Sequence, residues 1–307
     1  MGTPHPVSTV LVTGATGFIG RHLVPELVEL GFDVRAMTRR PEAYGGPAEP
    51  VAGDVSDPGS LAAPLEGVDV AVYLVHSLDE TDFEHRDADA ARTFGLAAAA
   101  SGVRQIVYLG GLGKDGTDLS PHLRSRREVE RLLGEAGVPV TTLRAAIVVG
   151  AGGISWEMTR QLVRNLPAMV VPRWAETRTQ PIALDDVVRY LAGVVGREEA
   201  FGRAFEIGGP DQLSYVDMLQ QAAEVMDGHR VPIVTVPVLT PRLSSYWISF
   251  VTNVDATTGR HLIHSMGTEV IVTDHAIRDL VPGEPLPYAE AVRLALEEDR
   301  QQEQHRE

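Results

Sequence analysis

A doubly wound parallel α/β sheet with a smaller C-terminal lobe is the fold class this sequence predicts, on three observations. Short apolar runs alternate with segments of helical spacing through the first 150 residues, which implies a parallel sheet with helices on both faces. A glycine-rich turn joins the first run to the first helical segment. After residue 150 the alternation loosens and prolines cluster at 167, 172, 181, 210, 232, 237, 241, 282, 285 and 287. Residues 1–150 therefore read as the nucleotide-binding core, and residues 151–307 as a mixed segment that returns partly to the core and builds the lobe.

The elements follow in order. STVLVTG (8–14) is a buried-strand run ending in glycine. FIGRHLVPELVEL (18–30) has apolar residues at helical spacing and stops at Gly31. FDVRAMT (32–38) and PVAGD (50–54) read as the second and third strands, and LAAPLEG (61–67) as a short helix despite Pro64. VDVAVYLVHS (68–77) is the fourth strand, 82–102 a long helix, and VRQIVYLGG (103–111) the fifth strand. HLRSRREVERLLGEAG (122–137) is a helix and VPVTTLRAAIVVG (138–150) the sixth strand. The polar tail EEDRQQEQHRE reads as a fraying helix end.

Composition narrows the function classes. Of 307 residues, 44% are hydrophobic and 22% charged, ordinary for a globular protein with a sizeable core. A net charge of −15 repels nucleic acid and anionic membrane surfaces, so neither is expected as a partner. No apolar run reaches membrane-spanning length and no secretory signal is visible. The absence of cysteine excludes disulfides and thiolate metal sites and fits a reducing, cytoplasmic location. A homodimer is one assembly the chain allows.

Gly14, Gly17 and Gly20 form G-x-x-G-x-x-G where a strand closes and a helix opens. That context makes the triplet a dinucleotide fingerprint. Gly14 permits the tight turn, Gly17 admits a pyrophosphate, and Gly20 lets the helix pack close, with phosphate at the positive end of the helix. Thr16, Phe18 and Ile19 complete the expected cofactor-binding loop. An NAD site needs a carboxylate after the second strand. Here Thr38 is followed by Arg39 and Arg40, and a guanidinium fork suits a 2′-phosphate; NADP(H) is the expected cofactor. Asp54 and Val55, after the third strand, are expected at the adenine edge.

With these pieces placed, the chain resembles the short-chain dehydrogenase/reductase superfamily. It is most similar to the atypical and extended branches and their NmrA-like NAD(P)H-binding group. The stretches that carry the resemblance are LVTGATGFIGRHLV, VRAMTRRPE, AGDVSD, VAVYLVHS, QIVYLGGLG, VPVTTLRAAIVVGAGG, PIALDDVVRYL and RAFEIGGPDQLSYVDML, the last where a late strand leads into a helix. The resemblance covers roughly residues 7 to 225. It implies that the end of the fourth strand, at Val75 and His76, lines the cofactor. It also implies a serine ending the fifth strand and Tyr-x-x-x-Lys on the next helix. This chain departs there: the strand ends Leu109-Gly110-Gly111, and the helix reads His122-x-x-x-Arg126.

His122 and Arg126 are thus the candidate catalytic pair, four apart on one helix face. Arg126 can hydrogen-bond ribose hydroxyls or a phosphate but stays charged and donates no proton in catalysis. His122 is a competent acid near neutrality, although a neighbouring arginine disfavours the imidazolium; the bland alternative is that it only caps or packs the helix start. Among other groups, His76 and Ser77 are expected to contact cofactor without doing chemistry, and Tyr108 to be core. Arg144 either faces the substrate cleft or pairs with a carboxylate such as Asp185 or Asp186. Trp156, Trp174, Tyr246 and Trp247 either line an apolar substrate pocket or pack the lobe. His261 and His264 lack a third ligand, so no metal is expected.

These features imply hydride transfer from NADPH to a carbonyl or conjugated alkene of a small, partly apolar substrate. A non-catalytic NADP(H) sensor or scaffold is the alternative the missing serine and tyrosine favour. An NAD-retaining epimerase or dehydratase fits the extended fold but conflicts with Arg39.

Overall fold

The structure is a computed structural model, and it describes residues 9–76, 83–113, 119–236 and 266–304. Its centre is a seven-stranded parallel sheet. In chain order the elements up to its sixth strand are β1 (Thr9–Thr13), α1 (Gly20–Glu29), β2 (Asp33–Thr38), β3 (Glu49–Ala52), α2 (Ala62–Leu65), β4 (Val70–Tyr73), α3 (Phe83–Ala100), β5 (Gln105–Gly111), α4 (Pro121–Leu133) and β6 (Val140–Ala145). There follow β7 (Val148–Val149), α5 (Ile154–Asn165), β8 (Met169–Pro172), β9 (Arg178–Thr179), β10 (Ile182–Ala183), α6 (Leu184–Val194), β11 (Ala204–Ile207), β12 (Leu213–Ser214), α7 (Tyr215–Asp227), β13 (Ile233–Val236), α8 (Ile277–Leu280) and α9 (Tyr288–Gln304). The sheet order is β11-β6-β5-β4-β1-β2-β3. The order reverses between β1 and β4, which is where sheets of this class open a crevice at their C-terminal ends.

Side-chain alternation covers both faces. Val10, Val12, Val70, Val72, Val107 and Leu109 face α1 and α6. Leu11, Ala71, Tyr73, Ile106 and Tyr108 face α3 and α4. Residues beyond 150 divide between two cores. α6, β11 and α8 pack on the main sheet, whereas α5, α7, α9 and β8 share a separate apolar cluster that includes Trp156 and Met218. No helix among the described residues is long and apolar enough to cross a membrane.

Several boundaries are tighter than the sequence predicts, and each has a local cause. The fourth strand ends at Tyr73, because Leu74 N–H donates to the Thr13 hydroxyl (3.1 Å) as β1 and β4 part. β6 ends at Ala145, which pairs with Gly111, the last residue of β5; the chain then leaves the main sheet and Val148–Val149 pairs with β10 instead. α4 begins one residue earlier than expected because Ser120 caps it, accepting from Leu123 N–H, with Pro121 at the first helical position. It stops at Leu133, before Gly134.

Candidate active site

The glycine loop has the shape a pyrophosphate needs. Gly14 has φ +64°, and a Cβ there would lie 3.2 Å from the Leu74 carbonyl oxygen. Gly17 N–H donates to Gly14 O (2.9 Å), closing the turn. At Gly20 a Cβ would fall 2.3 Å from Gly14 O and 2.7 Å from Ala15 Cα, so no side chain fits. Thr16 and Gly17 are exposed, while Phe18 and Ile19 lean on the sheet core. α1 opens with no side-chain cap on its first N–H groups, leaving them to an anion. The loop therefore fits a dinucleotide phosphate.

The end of β2 carries cations. Arg39 and Arg40 are exposed. Asp54 accepts from Ser56 Oγ (2.6 Å) and Ser56 N–H (2.9 Å). Those bonds hold its carboxyl below the usual range, with further help from Arg39 and from Arg86 of α3, which the sequence reading did not single out. Asp54 thus stays charged and its hydrogen bonding is partly spent within its own turn. Val55 is buried in the α3-side core, so it can offer a ligand only backbone.

The end of β4 brings His76, Asp87 and His122 together. Val75 packs against that same core. His76 Nδ1 lies 2.6 Å from Oδ2 of Asp87 on α3, a carboxylate that is 4% exposed. The imidazoles of His76 and His122 are 5.2 Å apart between ring centres, and the edge of Phe83 closes on His76. One turn along α4, Arg126 lies over the Tyr108 ring at 4.9 Å and donates through Nη2 to the Leu109 carbonyl. Its Nη1 is buried with no hydrogen-bond partner among the described residues. Such an atom needs an acceptor, and a ribose hydroxyl fits.

A side chain at Gly111, where the resemblance implies a serine, would need the Leu123 methyl to move. At Gly111 a Cβ would meet Leu123 Cδ2 at 2.7 Å and lie 3.6 Å from Arg126 Cγ. Neither buried tyrosine replaces the missing proton donor. Tyr73 and Tyr108 are fully enclosed, and burial pushes both hydroxyls far above their ordinary range.

Arg144 has a carboxylate partner, but not one of the two named. Arg144 pairs with neither Asp185 nor Asp186: it grips Glu130 of α4 in a two-pronged bond, Nη2–Oε1 2.7 Å and Nε–Oε2 3.2 Å. Asp186 instead binds Arg189 and the Leu286 N–H. Glu130→Ala is expected to cost about 1.5–3 kcal/mol of stability, read as a lower denaturation midpoint, with cofactor affinity unchanged; a loss of affinity would place Arg144 in the site after all. Trp156 is lobe core, 1% exposed and donating to Asp299 (2.9 Å). His122 is not the helix cap, a role Ser120 holds. Trp174 does border a cavity of about 540 Å³ with Tyr215, Met158, Met218 and Met266. Ile147, two residues past the end of β6, also lines that cavity. Ser77, Tyr246, Trp247, His261 and His264 lie outside the described residues, and among the described residues no group of acidic and histidine side chains could hold a metal.

Comparison with known proteins agrees with this geometry. A family described as NAD(P)H-binding matches residues 14–172. The (4-alkanoyl-5-oxo-2,5-dihydrofuran-3-yl)methyl phosphate reductase of Streptomyces griseus is 30% identical over 71% of this chain and 73% of its own. Ceramide reductase of Caulobacter vibrioides is 28% identical over 71% of this chain and 70% of its own. Among solved structures, the triphenylmethane reductase of Citrobacter sp. complexed with NADP(H) superposes with a TM-score of 0.75, covering 94% of this chain and 99% of that one at 18% identity, which speaks for the fold alone.

Proposed function

The chain belongs to the NAD(P)H-binding family matched over residues 14–172, and from that premise we propose that it is an NADPH-dependent reductase of a carbonyl or conjugated alkene. The observation that carries the reading is a juxtaposition. Leu74 lies so close to Gly14 of the phosphate loop that a Cβ there would fall 3.2 Å from its carbonyl oxygen, and two residues on, His76 meets His122 one turn before Arg126. The nicotinamide, when bound, supplies a hydride. Arg126 Nη1 would hold the nicotinamide ribose. His122 gives a proton to the oxygen on which negative charge develops. The reductase names of two relatives support the reaction class. The Streptomyces relative's named substrate, an alkanoyl-oxo-dihydrofuran, has carbonyl groups beside a ring alkene. The methionine- and tryptophan-lined cavity suits a substrate with an apolar body.

A screen of ketones, enones and unsaturated lactones, followed by NADPH absorbance, tests the activity. The 2′-phosphate preference is tested separately. One charge-assisted contact of roughly 1.5–3 kcal/mol from Arg39 corresponds to an NADPH preference over NADH of about ten- to a hundred-fold. Arg39→Ala should remove most of it, and an unchanged preference in that variant would assign the phosphate to other residues. The missing serine and tyrosine favour a second reading, a non-catalytic NADP(H) sensor, which tight cofactor binding without turnover of any acceptor would support.

A further inference from the structure

The walls of the lobe cavity change character along its length. α5 lines it with Ser155, Met158, Thr159 and Leu162, and Leu166 at its C-terminal end continues the row. Spacings of three and four residues put all five on one stripe, which runs about 16 Å at ~1.5 Å per residue. The two hydroxyls, Ser155 and Thr159, belong to its first half, and Thr159 already donates to the Ser155 carbonyl (2.9 Å). The second half is leucine alone. Across the cavity stand Met218 and Leu219 of α7, with Met266. Methionine is unbranched and adapts to irregular contours, and among the described residues no charged side chain lines the cavity. The polar end lies by the phosphate loop. A Cβ at Gly153, just before α5, would fall 2.6 Å from Phe18 Cζ, and Arg21 of α1 donates to the Ala151 carbonyl. Ala146 packs against the cluster that holds Leu123, the neighbour of His122, and the next residue, Ile147, is part of the cavity wall. Beyond Leu166, Ala168 is exposed and Val170 is 51% exposed, so the apolar wall runs out to the surface there.

We propose that this cavity is a channel for one unbranched aliphatic chain, and that the acceptor reduced at the site carries such a chain as its tail. The proposal rests on the reductase reading and names its substrate class. With the reducible group at the polar end, the tail runs along α5 past Met158 and Leu162 to Leu166. Carbon–carbon bonds of about 1.5 Å in an extended zigzag advance ~1.3 Å each, so about twelve carbons span the stripe. A longer chain emerges past Val170 into solvent and gains nothing more. Each methylene that leaves water for this wall adds to binding by a similar amount, so the length of the tail selects the substrate.

The test is calorimetric titration of the intact protein with straight-chain alcohols from hexanol to tetradecanol. Affinity should rise about fourfold with each added methylene and level off near about twelve carbons. Cyclododecanol, with the carbon count of dodecanol but no extended form, should bind more weakly than dodecanol. Leu166→Trp should remove the gain from the last carbons and spare the shorter chains. Met158→Trp, near the polar end, should remove most of the gain at every length. Both variants should bind NADPH as the unmodified protein does, and a damaged lobe would not grade its losses by position. Affinity that is flat with chain length, cyclododecanol that binds as tightly as dodecanol, or a Leu166→Trp protein that loses short and long chains alike overturns the channel. The alcohols need neither cofactor nor turnover, so their failure to bind leaves the reductase reading standing. Alcohols that bind in this pattern while NADPH reduces none of the matching methyl ketones or enones count against that reading and leave the channel in place.

Discussion

Gly17→Val is expected to lower NADPH affinity by roughly 10²- to 10⁴-fold, the loss of two charge-assisted hydrogen bonds of about 1.5–3 kcal/mol each. Gly17 is exposed, and a Cβ there would meet only Gly14 O, at 3.1 Å. Valine therefore needs only a shift of a few tenths of an ångström at Gly14 O, but it occupies the space a pyrophosphate needs at the head of α1. Circular dichroism and the melting temperature should stay near those of the unmodified protein. Gly20→Val differs: its Cβ would lie inside Gly14 O and Ala15, so that variant should lose the turn itself and much of its stability. A Gly17→Val protein that binds NADPH normally would show that the loop does not cradle the phosphates.

The second large effect is kinetic. With an acceptor in hand, His122→Ala should reduce turnover by about 10² to 10⁴ while NADPH affinity holds. Arg126→Ala should show the complementary pattern, with weakened NADPH binding from the loss of its Nη1 contact. The sign of the pH dependence follows from the acid's role. The donor acts when His122 is protonated, so turnover is expected to be full at mildly acidic pH and to fall as pH rises. A rate that His122→Ala leaves untouched would reduce that histidine to packing. Turnover that instead rises with pH would make His122 a general base.

The core of the fold is legible because its signals are local. Apolar runs such as Val10–Val12 and Val70–Tyr73 need cover on both faces, and the glycine turn between β1 and α1 fixes where the sheet opens. Strand ends are less legible, because a partner decides them: β6 stops where β5 runs out, at Gly111 opposite Ala145. The site divides in the same way. The loop and the His122–Arg126 spacing are written in consecutive residues. Asp87 and Glu130 act across elements, on His76 and Arg144, and no spacing along the chain announces either pairing. A signal for Asp87 does exist. It is the lone carboxylate on the stripe Phe83, Ala91, Phe94 and Ala98 of α3, and a charge on a buried stripe demands a partner. Arg144 carried the same kind of signal, a charge on an otherwise apolar strand, but its partner could have come from any neighbouring element.

Calorimetric titration of the unmodified protein with NADPH and with NADH decides whether the β1–α1 loop, Arg39 and Arg126 together make an NADP(H) site. Stoichiometric binding of NADPH, tighter than NADH by about ten- to a hundred-fold, is the expected result. Binding of neither nucleotide, or equal affinity for the two, would contradict it.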